Sequence, residues 1–386
     1  MRLSPFQAAL LLAAVAAFGY LLVAAPGDAA DLALRLAPVM AFVALISVVV
    51  NLAAPVGAFR AVIAAVGPRT GHPWRTWLTV AVLSLVATTF LSLDTTAILL
   101  TPVAVALAKR DGLPAVGLGL TVVWVANIGS LLLPVSNLTN LLAVASPHFA
   151  GILDFLSHSA VPAVTATAVV LLAAGLRFRS GQGGAAQEGV ALDRPVPGPL
   201  LRLSLVVLGV MLPLLASPVP YWLTAGVGAA VMLTACALRA PRHIGLGLVP
   251  WSSILLAVSV SAVAAALHTG GVTSFLTGAF SGWEQSLPGL LGIAFAGAGL
   301  SNVINNIPAF LALETAVDGP VGMLALLIGT NAGPLITPWA SLAALLWWDQ
   351  LRRNGIHARW SAFVLPGLVL APVAVAVPTV ALWLTS

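Results

Sequence analysis

Long apolar runs dominate this chain, and its polar positions are collected into short stretches between them. Residues 6–25, 203–216 and 361–384 are apolar over most or all of the roughly 20 residues that a helix needs to cross a bilayer. The alternation of apolar and polar positions that is typical of transmembrane strands does not occur. The pattern therefore predicts an all-α polytopic membrane protein.

Composition and charge support the same class. Hydrophobic residues make up 60% of the 386 residues and charged residues 7%, and the mean hydropathy is +1.07. The pI near 10.6 does not indicate a nucleic-acid partner, because basic residues in membrane chains mark cytoplasmic loops. The single cysteine, Cys236, excludes an internal disulfide framework, and we expect it to pack rather than to bind a ligand.

The first apolar run could be read as a signal peptide. Its apolar core is longer than the roughly 7–15 residues of a signal h-region, so we expect a retained helix with a cytoplasmic N-terminus. An outer loop with Asp28 and Asp31 follows it. The chain then crosses back into a cytoplasmic loop that carries Arg60, Arg69 and Arg75.

Two segments have lengths that do not suit simple crossings. Residues 76–108 are too long for one span of about 20 residues and too short for two, so we expect a re-entrant helical hairpin with Asp94 near its tip. Residues 288–316 predict a second hairpin, with the sequence SNVINN near its tip. The nine predicted full crossings are 6–25, 32–52, 115–145, 159–176, 200–217, 221–238, 250–267, 320–348 and 361–384.

This path places every lysine and arginine except Arg35 on the cytoplasmic side of the plasma membrane, and it leaves the C-terminus outside. We expect Glu314 to be a solvated residue at a helix end. The path divides the chain into an N-terminal helix with its outer loop (1–31), a first repeat (32–176), a cytoplasmic linker (177–199), linking helices (200–243) and a second repeat (244–386).

The repeats are visible in the sequence. Residues 127–142 and 331–346 share the pattern N-x-G-x-L-x-x-P-x-x-[NS]-L-x-x-L-L at a constant offset of 204 residues, and each copy follows a hairpin. On the predicted path the two copies cross in opposite directions. Two inverted-topology repeats, each with a re-entrant hairpin and a broken transmembrane helix, are typical of secondary transporters with a site near the midplane.

Short polar side chains gather at the two hairpin tips and at the two breaks near Pro134 and Pro338. One interpretation is capping, because turns and breaks leave backbone groups without partners where no water is available. The other is a shared polar cavity for an ion or a small oxygen-rich solute. The candidate binding residues are Asp94, Thr95, Thr96, Asn127, Ser136, Asn137, Thr139, Asn140, Ser301, Asn302, Asn305, Asn306, Asn331, Thr337 and Ser341.

The motifs at 94–102, 136–140, 300–308 and 333–347 resemble, in order, those of the arsenite and antimonite efflux permeases, the arsenical pump membrane proteins of the ion transporter superfamily. The resemblance implies export of trivalent arsenic or antimony, driven by the proton gradient or, in some relatives, by a cytoplasmic ATPase partner. Where that family often has aspartate, aspartate and lysine, this chain has Asn127, Asn331 and Leu335.

These replacements leave Asp94 as the obvious acid at depth. It could cap a hairpin tip, but the cost of a carboxylate in the membrane favours a functional role, either as a proton carrier or as a sodium ligand with Thr95 and Thr96. The coupling ion is therefore a proton or sodium, with no metal or other cofactor expected. An ATPase docked on 177–199, and the oligomeric state, are left open.

Several function classes compete. Because soft ions favour thiolates, a chain with one cysteine would carry arsenite as a hydroxylated solute held by hydroxyl, amide and backbone groups. The same scaffold could carry a carboxylate or inorganic anion with sodium or protons, or exchange cations for protons. The chain lacks the motifs H-E-x-x-H, G-x-S-x-G and G-x-x-x-x-G-K-[ST], so neither an intramembrane enzyme nor a primary pump is expected. An ion channel is the remaining alternative, and inverted broken-helix repeats with hairpins favour alternating access over it.

Overall fold

The computed structural model describes residues 5–66, 72–179, 198–272 and 279–386. Within these ranges the chain forms α-helices and short 3-10 turns and no strands, as the apolar pattern predicts. The helices are α1 (Pro5–Ala24), α2 (Pro26–Ala53), α3 (Ala58–Val66), α4 (Pro73–Leu91), α5 (Leu93–Asp111), α6 (Ala115–Ile128), α7 (Leu138–Val144), α8 (Ile152–Arg179), α9 (Pro199–Leu215), α10 (Tyr221–Arg239), α11 (Trp251–Thr269), α12 (Leu287–Ile304), α13 (Asn306–Leu313), α14 (Gly319–Ala332), α15 (Leu342–Arg353) and α16 (Ser361–Thr385).

Seven of the described helices are long and apolar enough to cross a membrane: α2, α4, α8, α10, α11, α12 and α16. Shorter apolar helices occupy 8–24, 115–131, 199–215 and 319–332. Together they confirm the predicted fold class, an all-α polytopic membrane protein.

The outer loop predicted before residue 32 is wrong, because residues 26–31 form the first turns of α2. Pro26 is at the start of that helix, where the missing backbone N–H costs no hydrogen bond. The carboxylate of Asp28 in the first turn stabilises the helix by interacting with the positive end of its dipole. Only Ala25 separates α1 from α2.

Two other boundaries differ from the prediction. The stretch after α2 contains α3, a nine-residue helix in a segment predicted as loop. Helix α8 begins at Ile152 rather than at 159, because the Asp154 carboxylate accepts a hydrogen bond from the Ala150 N–H at the helix start. Most of the predicted linker, residues 180–197, lies outside the described residues.

Two further pairs of consecutive helices, like α1 and α2, are each joined by a single residue. Helices α4 and α5 meet at Ser92 and form the first hairpin, and α12 and α13 meet at Asn305 and form the second. At 19 residues, α4 and α5 are each about 28 Å long, close to the thickness of a bilayer core. A hairpin returns the chain to the side from which it entered, whether it spans the bilayer or only part of it. The topology predicted for the rest of the chain is therefore the same in both cases, and a re-entrant hairpin stays a prediction.

Two helix interruptions share the repeat seen in the sequence. Helices α6 and α14 have 14 residues each, and after an irregular segment α7 and α15 begin beyond Asn137 and Ser341, which have the same extended backbone conformation. We call residues 129–137 the first break and residues 333–341 the second break. Residues 118–128 and 322–332 are buried throughout, so both breaks begin at the ends of central helices.

The remaining long helices pack around this centre. Helix α8 packs against α6 and α16, and α16 packs against α14. On another side, α1 packs against α11 and α10 packs against α2. The central helices that lead into the breaks are therefore enclosed by protein, which allows irregular backbone at membrane depth, whereas Val303, Ile304 and Trp339 beside the second hairpin tip are exposed.

Candidate functional site

The two hairpin tips share a rare backbone conformation. Ser92 has φ 96° and ψ 157°, and Asn305 has φ 96° and ψ 153°. They are the only non-glycine residues with positive φ in the described part of the chain. This region is almost restricted to glycine and costs a side-chain-bearing residue about 1–3 kcal/mol, and such strain clusters at functional sites.

The first break is closed by side chains of its own segment. Asn140 Nδ2 donates to the carbonyl oxygens of Ser130 at 2.7 Å and Leu133 at 3.1 Å. The Ser136 hydroxyl donates to the same two carbonyls. These contacts replace the helical hydrogen bonds that the break removes.

Asn331, in the last turn of α14, ties the first break to the other half of the chain. Its Oδ1 accepts hydrogen bonds from Asn137 Nδ2 and from the Thr139 hydroxyl, each at 2.9 Å, and its Nδ2 donates to Asn140 Oδ1 at 2.7 Å. All four side chains are buried. One amide therefore bonds to three side chains of the opposite half.

The second break is closed from the hairpin instead. Asn302 Nδ2 donates to the carbonyl oxygens of Ala298 at 2.8 Å and Gly333 at 2.9 Å, and its Oδ1 accepts from the N–H groups of Ile336 at 3.2 Å and Thr337 at 2.9 Å. The Thr337 hydroxyl donates to the Asn302 carbonyl at 2.8 Å. Asn302 therefore has the capping role for the second break.

The hairpin tip itself is bound to the same break. Asn305 Nδ2 donates to the Trp339 carbonyl at 2.8 Å, and the backbone N–H of Asn306 donates to the Ala340 carbonyl at 2.9 Å. The Trp339 indole N–H donates to the Asn302 carbonyl at 3.0 Å. The second hairpin and the second break therefore form one unit.

The two halves differ at Asn127, which corresponds to Asn331. Asn127 Nδ2 bonds to the Val123 carbonyl of its own helix, and its buried Oδ1 has no hydrogen-bond partner in the described structure. The sequence explains the difference, because Ala343 and Ala344 stand where the first half has the Thr139 hydroxyl and the Asn140 amide. Of the two equivalent asparagines, only Asn331 therefore joins the halves through side-chain hydrogen bonds.

Both tips and both breaks open onto one cavity of about 560 Å³. Parts of α2, α11 and α15 complete its wall. Five of the predicted site residues line it: Asp94, Thr95, Asn137, Asn305 and Asn306. The structure thus brings residues of both halves together around one space.

The other predicted residues lie behind the cavity wall, and most of them make internal hydrogen bonds. Thr96 donates to the Ser92 carbonyl, Ser301 donates to the Gly297 carbonyl, and the Ser341 hydroxyl caps α15. The remaining members of this group belong to the contacts above: Asn127, Ser136, Thr139, Asn140, Asn302, Asn331 and Thr337.

Sequence reasoning missed four polar residues of the wall, Ser47, Asn51, Ser92 and Ser253, and the indole of Trp339. Ser92 lies two residues before the predicted motif at 94–102, and Trp339 lies within the motif at 333–347, so both were near a signal that the sequence provides. The other three lie on α2 and α11, where an isolated polar residue in an apolar run gave no pattern.

Asp94 is the only ionisable residue among those that line the cavity. Its Oδ1 is buried without a hydrogen-bond partner in the described structure. An ionised carboxylate in such a place lacks the partners that normally offset its desolvation. The chemistry that this arrangement favours is therefore uptake and release of a cation or a proton.

The prediction that Glu314 is a solvated end residue is wrong. Its carboxylate binds the Arg35 guanidinium through both oxygens, at 2.6 and 3.2 Å, and its side chain is 11% exposed. The pairing also explains how the one arginine outside the predicted cytoplasmic set is accommodated. Cys236, as expected, is a buried packing residue of α10, and it does not line the cavity.

Comparison with known proteins gives one family and several distant relatives. The family model described as CitMHS, citrate transporter, matches residues 3–344. An "Arsenical pump membrane protein" of Yersinia enterocolitica is 29% identical over 131 residues, which cover 31% of this chain and 30% of that protein. One from Escherichia coli is 30% identical over 168 residues, or 39% and 38% of the two chains. The match thus spans about a third of the length of these curated relatives.

Proposed function

The chain belongs to the CitMHS citrate transporter family, and from that premise we propose that it is a secondary transporter that exports arsenite and antimonite in exchange for protons. The scaffold of the proposal is two inverted repeats with re-entrant hairpins, whose tips and breaks hold the substrate. The plasma membrane is the proposed location.

The charge of the cavity wall carries the proposal. Among its lining residues there is no lysine, arginine or histidine, and Asp94 is the only acid. A free tricarboxylate would enter this space without a cationic partner and beside a carboxylate, which is unfavourable in a medium of low dielectric constant. A neutral solute with hydroxyl groups avoids that cost.

Arsenous acid, the neutral-pH form of arsenite, is such a solute. Its hydroxyl groups can donate to and accept from the amides of Asn137, Asn305 and Asn306 at the cavity wall. Thiolate binding is not part of the proposal, because Cys236 is buried in α10 away from the cavity. The printed names of the distant relatives add support for an arsenical substrate.

Proton exchange is assigned to Asp94. A carrier must alternate between a proton-bound and a substrate-bound state, and a titratable group in the cavity couples the two. Protonated Asp94 can remain neutral while the cavity is empty, and the proton leaves when the substrate's hydroxyl groups bind nearby.

The test is arsenite uptake into everted membrane vesicles that contain the protein. Three conditions are compared: an imposed proton gradient, an imposed sodium gradient and no gradient. We expect accumulation only with the proton gradient, and competition by antimonite but not by citrate. Lack of arsenite uptake under every condition would contradict the proposal that the substrate is an arsenical, and it would leave the family assignment unchanged.

Citrate is the second candidate, because the family model that matches most of the chain is named for it. Its charge would have to be neutralised by a co-bound cation, for which Asp94 and the neighbouring hydroxyl of Thr95 are the available ligands. Citrate uptake driven by sodium, with no arsenite uptake in the same vesicles, would favour this candidate over the first.

A further inference from the structure

A bidentate ion pair joins residues that are far apart in the sequence. Arg35 on α2 binds Glu314, just after α13, with N–O distances of 2.6 and 3.2 Å. The side chains are 23% and 11% exposed, so water screens the pair only partly. In contrast, the pair Arg353–Asp349 lies within one helix and is 71% and 48% exposed.

Arg35 makes a third contact. Its Nη2 donates to the carbonyl oxygen of Leu142 at 2.8 Å. Leu142 is in the last turn of α7, where helix carbonyls lack backbone partners and a cation is favoured. One guanidinium therefore connects α2 with two segments that carry the first break and the second hairpin.

These contacts lie beyond one end of the cavity. Along α2, Arg35 precedes the first lining residue, Phe42, by seven residues, or about 10 Å. Along α13, Glu314 follows the lining residue Pro308 by six residues, about 9 Å. Helix α7 likewise runs from the lining residue Leu141 to the carbonyl that Arg35 binds. Helices α2, α7 and α13 therefore each connect the cavity wall with the contacts of Arg35.

The opposite end of the cavity has a different character. Asn51, near the end of α2, and Pro250 and Ser253, around the start of α11, line it there. Asn51 is exposed and lies about 24 Å along α2 from Arg35. The cavity therefore extends toward the end of α2 and away from the ion pair.

We propose that Arg35, Glu314 and the Leu142 carbonyl form a gate that closes the substrate cavity at the end where α2 begins. This inference rests on the proposed transport function, and by the charge distribution of the sequence the gate lies on the outer side. Opening requires α7 and the second hairpin to separate from α2, which is held by its packing against α10 and α11. The ion pair must break once in each transport cycle.

The test measures access to the cavity rather than transport. Ser47, a cavity residue on α2, is replaced by cysteine in a Cys236→Ala background, which leaves one thiol. A membrane-impermeant maleimide is applied to either face of sealed vesicles, and labelling is quantified for protein that elutes as a single species. With the gate intact, we expect labelling from one face only.

Arg35→Gln and Glu314→Gln should each increase labelling from the second face by about tenfold or more. Arg35→Lys keeps the charge but cannot hold both Glu314 oxygens and the Leu142 carbonyl, so an intermediate rate is expected. The exchanged pair Arg35→Glu/Glu314→Arg re-forms the ion pair without the contact to the Leu142 carbonyl, so labelling from the second face should fall below that of both single variants without returning to the unmodified level. Arg353→Gln, which breaks the exposed pair, should change nothing.

Equal labelling from both faces of the unmodified gate would overturn the proposal, and so would unchanged labelling in both single variants. Second-face labelling of the exchanged pair as high as that of the single variants would show that charge pairing is not what closes the cavity. Since no substrate is added, these outcomes are independent of arsenite transport, and a failure of the proposed substrate would not be mistaken for a failure of the gate.

Discussion

Asn331 donates from its side-chain nitrogen to Oδ1 of Asn140 at 2.7 Å, across two halves of the chain. Asn140 cannot turn its own nitrogen toward Asn331, because that nitrogen bonds to the Ser130 and Leu133 carbonyls. Asn331 also accepts two hydrogen bonds. Position 331 therefore requires a side chain that donates and accepts at once.

Asn331→Asp should make the stability of the protein depend on pH. The neutral carboxylic acid can reproduce all three hydrogen bonds, whereas the carboxylate would face the Asn140 oxygen with no proton to donate. Because the folded variant favours the protonated acid, its stability should be highest at low pH and should fall over the pH range that begins near 4, about the pKa of aspartate in an unfolded chain, and extends upward. Melting temperatures of the purified variant and the unmodified protein across that range measure the difference.

Asn331→Leu is the control for that experiment. It removes the same hydrogen bonds without adding a titratable group, so we expect a melting temperature that is lowered by the same amount at every pH in the range. A pH dependence of Asn331→Asp no larger than that of Asn331→Leu would contradict the hydrogen-bond arrangement.

The helices and the site elements were largely predictable because they depend on local signals. Apolar runs identified the long helices, and the repeated N-x-G and Pro pattern at residues 127–142 and 331–346 contained both breaks. The hairpins followed from segments whose lengths suit neither one nor two crossings. The sequence could then limit each turn to a few residues, but it could not identify Ser92 and Asn305 as the turn residues.

Long-range pairings were not predictable from one sequence. Asparagine suits both a capping role and a binding role, so the sequence could not distinguish Asn302 from Asn306. In the structure the Asn302 side chain bonds to the second break, and Asn306 lines the cavity. The partner of Arg35 lies 279 residues away, and no local pattern connects it with Glu314. Isolated wall residues such as Ser253 share that difficulty.

Asn302→Ala should destabilise the second break. The substitution leaves the Gly333 carbonyl and the N–H groups of Ile336 and Thr337 without the side-chain partner they have now, at about 1–3 kcal/mol for each buried group left unpaired. We expect a clear loss of melting temperature and of transport together.

Thr89→Ala is the matched control in the first hairpin, three residues before its tip as Asn302 is before Asn305. The first break is closed by Asn140 rather than by the hairpin, so we expect only the cost of removing one small buried group, about 1 kcal/mol. An equal loss of stability in Asn302→Ala and Thr89→Ala would mean that the hydrogen bonds of Asn302 do not stabilise the second break.

Ser92→Gly should stabilise the first hairpin. Glycine adopts the conformation at φ 96° and ψ 157° freely, so the variant avoids a backbone cost of about 1–3 kcal/mol. The variant loses the long hydrogen bond from the Thr95 N–H to Ser92 Oγ, at 3.4 Å, and the one from Ser92 Oγ to Thr95 Oγ1, at 3.1 Å, which together offset about 1 kcal/mol of the gain. Ser92→Ala loses both hydrogen bonds but keeps the strain, so thermal unfolding should rank glycine above serine and serine above alanine. Alanine as stable as glycine would show that no strain is stored at the tip.

Asp94→Asn separates substrate movement from proton coupling. The amide cannot carry a proton, but it retains the size and polarity of the neutral acid, so the cavity should still bind and exchange arsenite. We expect proteoliposomes with this variant to exchange labelled arsenite across the membrane but to accumulate none under a proton gradient. Asp318→Asn, at an exposed acid before α14, should leave both activities unchanged. Accumulation by Asp94→Asn at the rate of the unmodified protein would remove Asp94 as the carrier, whereas loss of exchange as well would make it a substrate ligand.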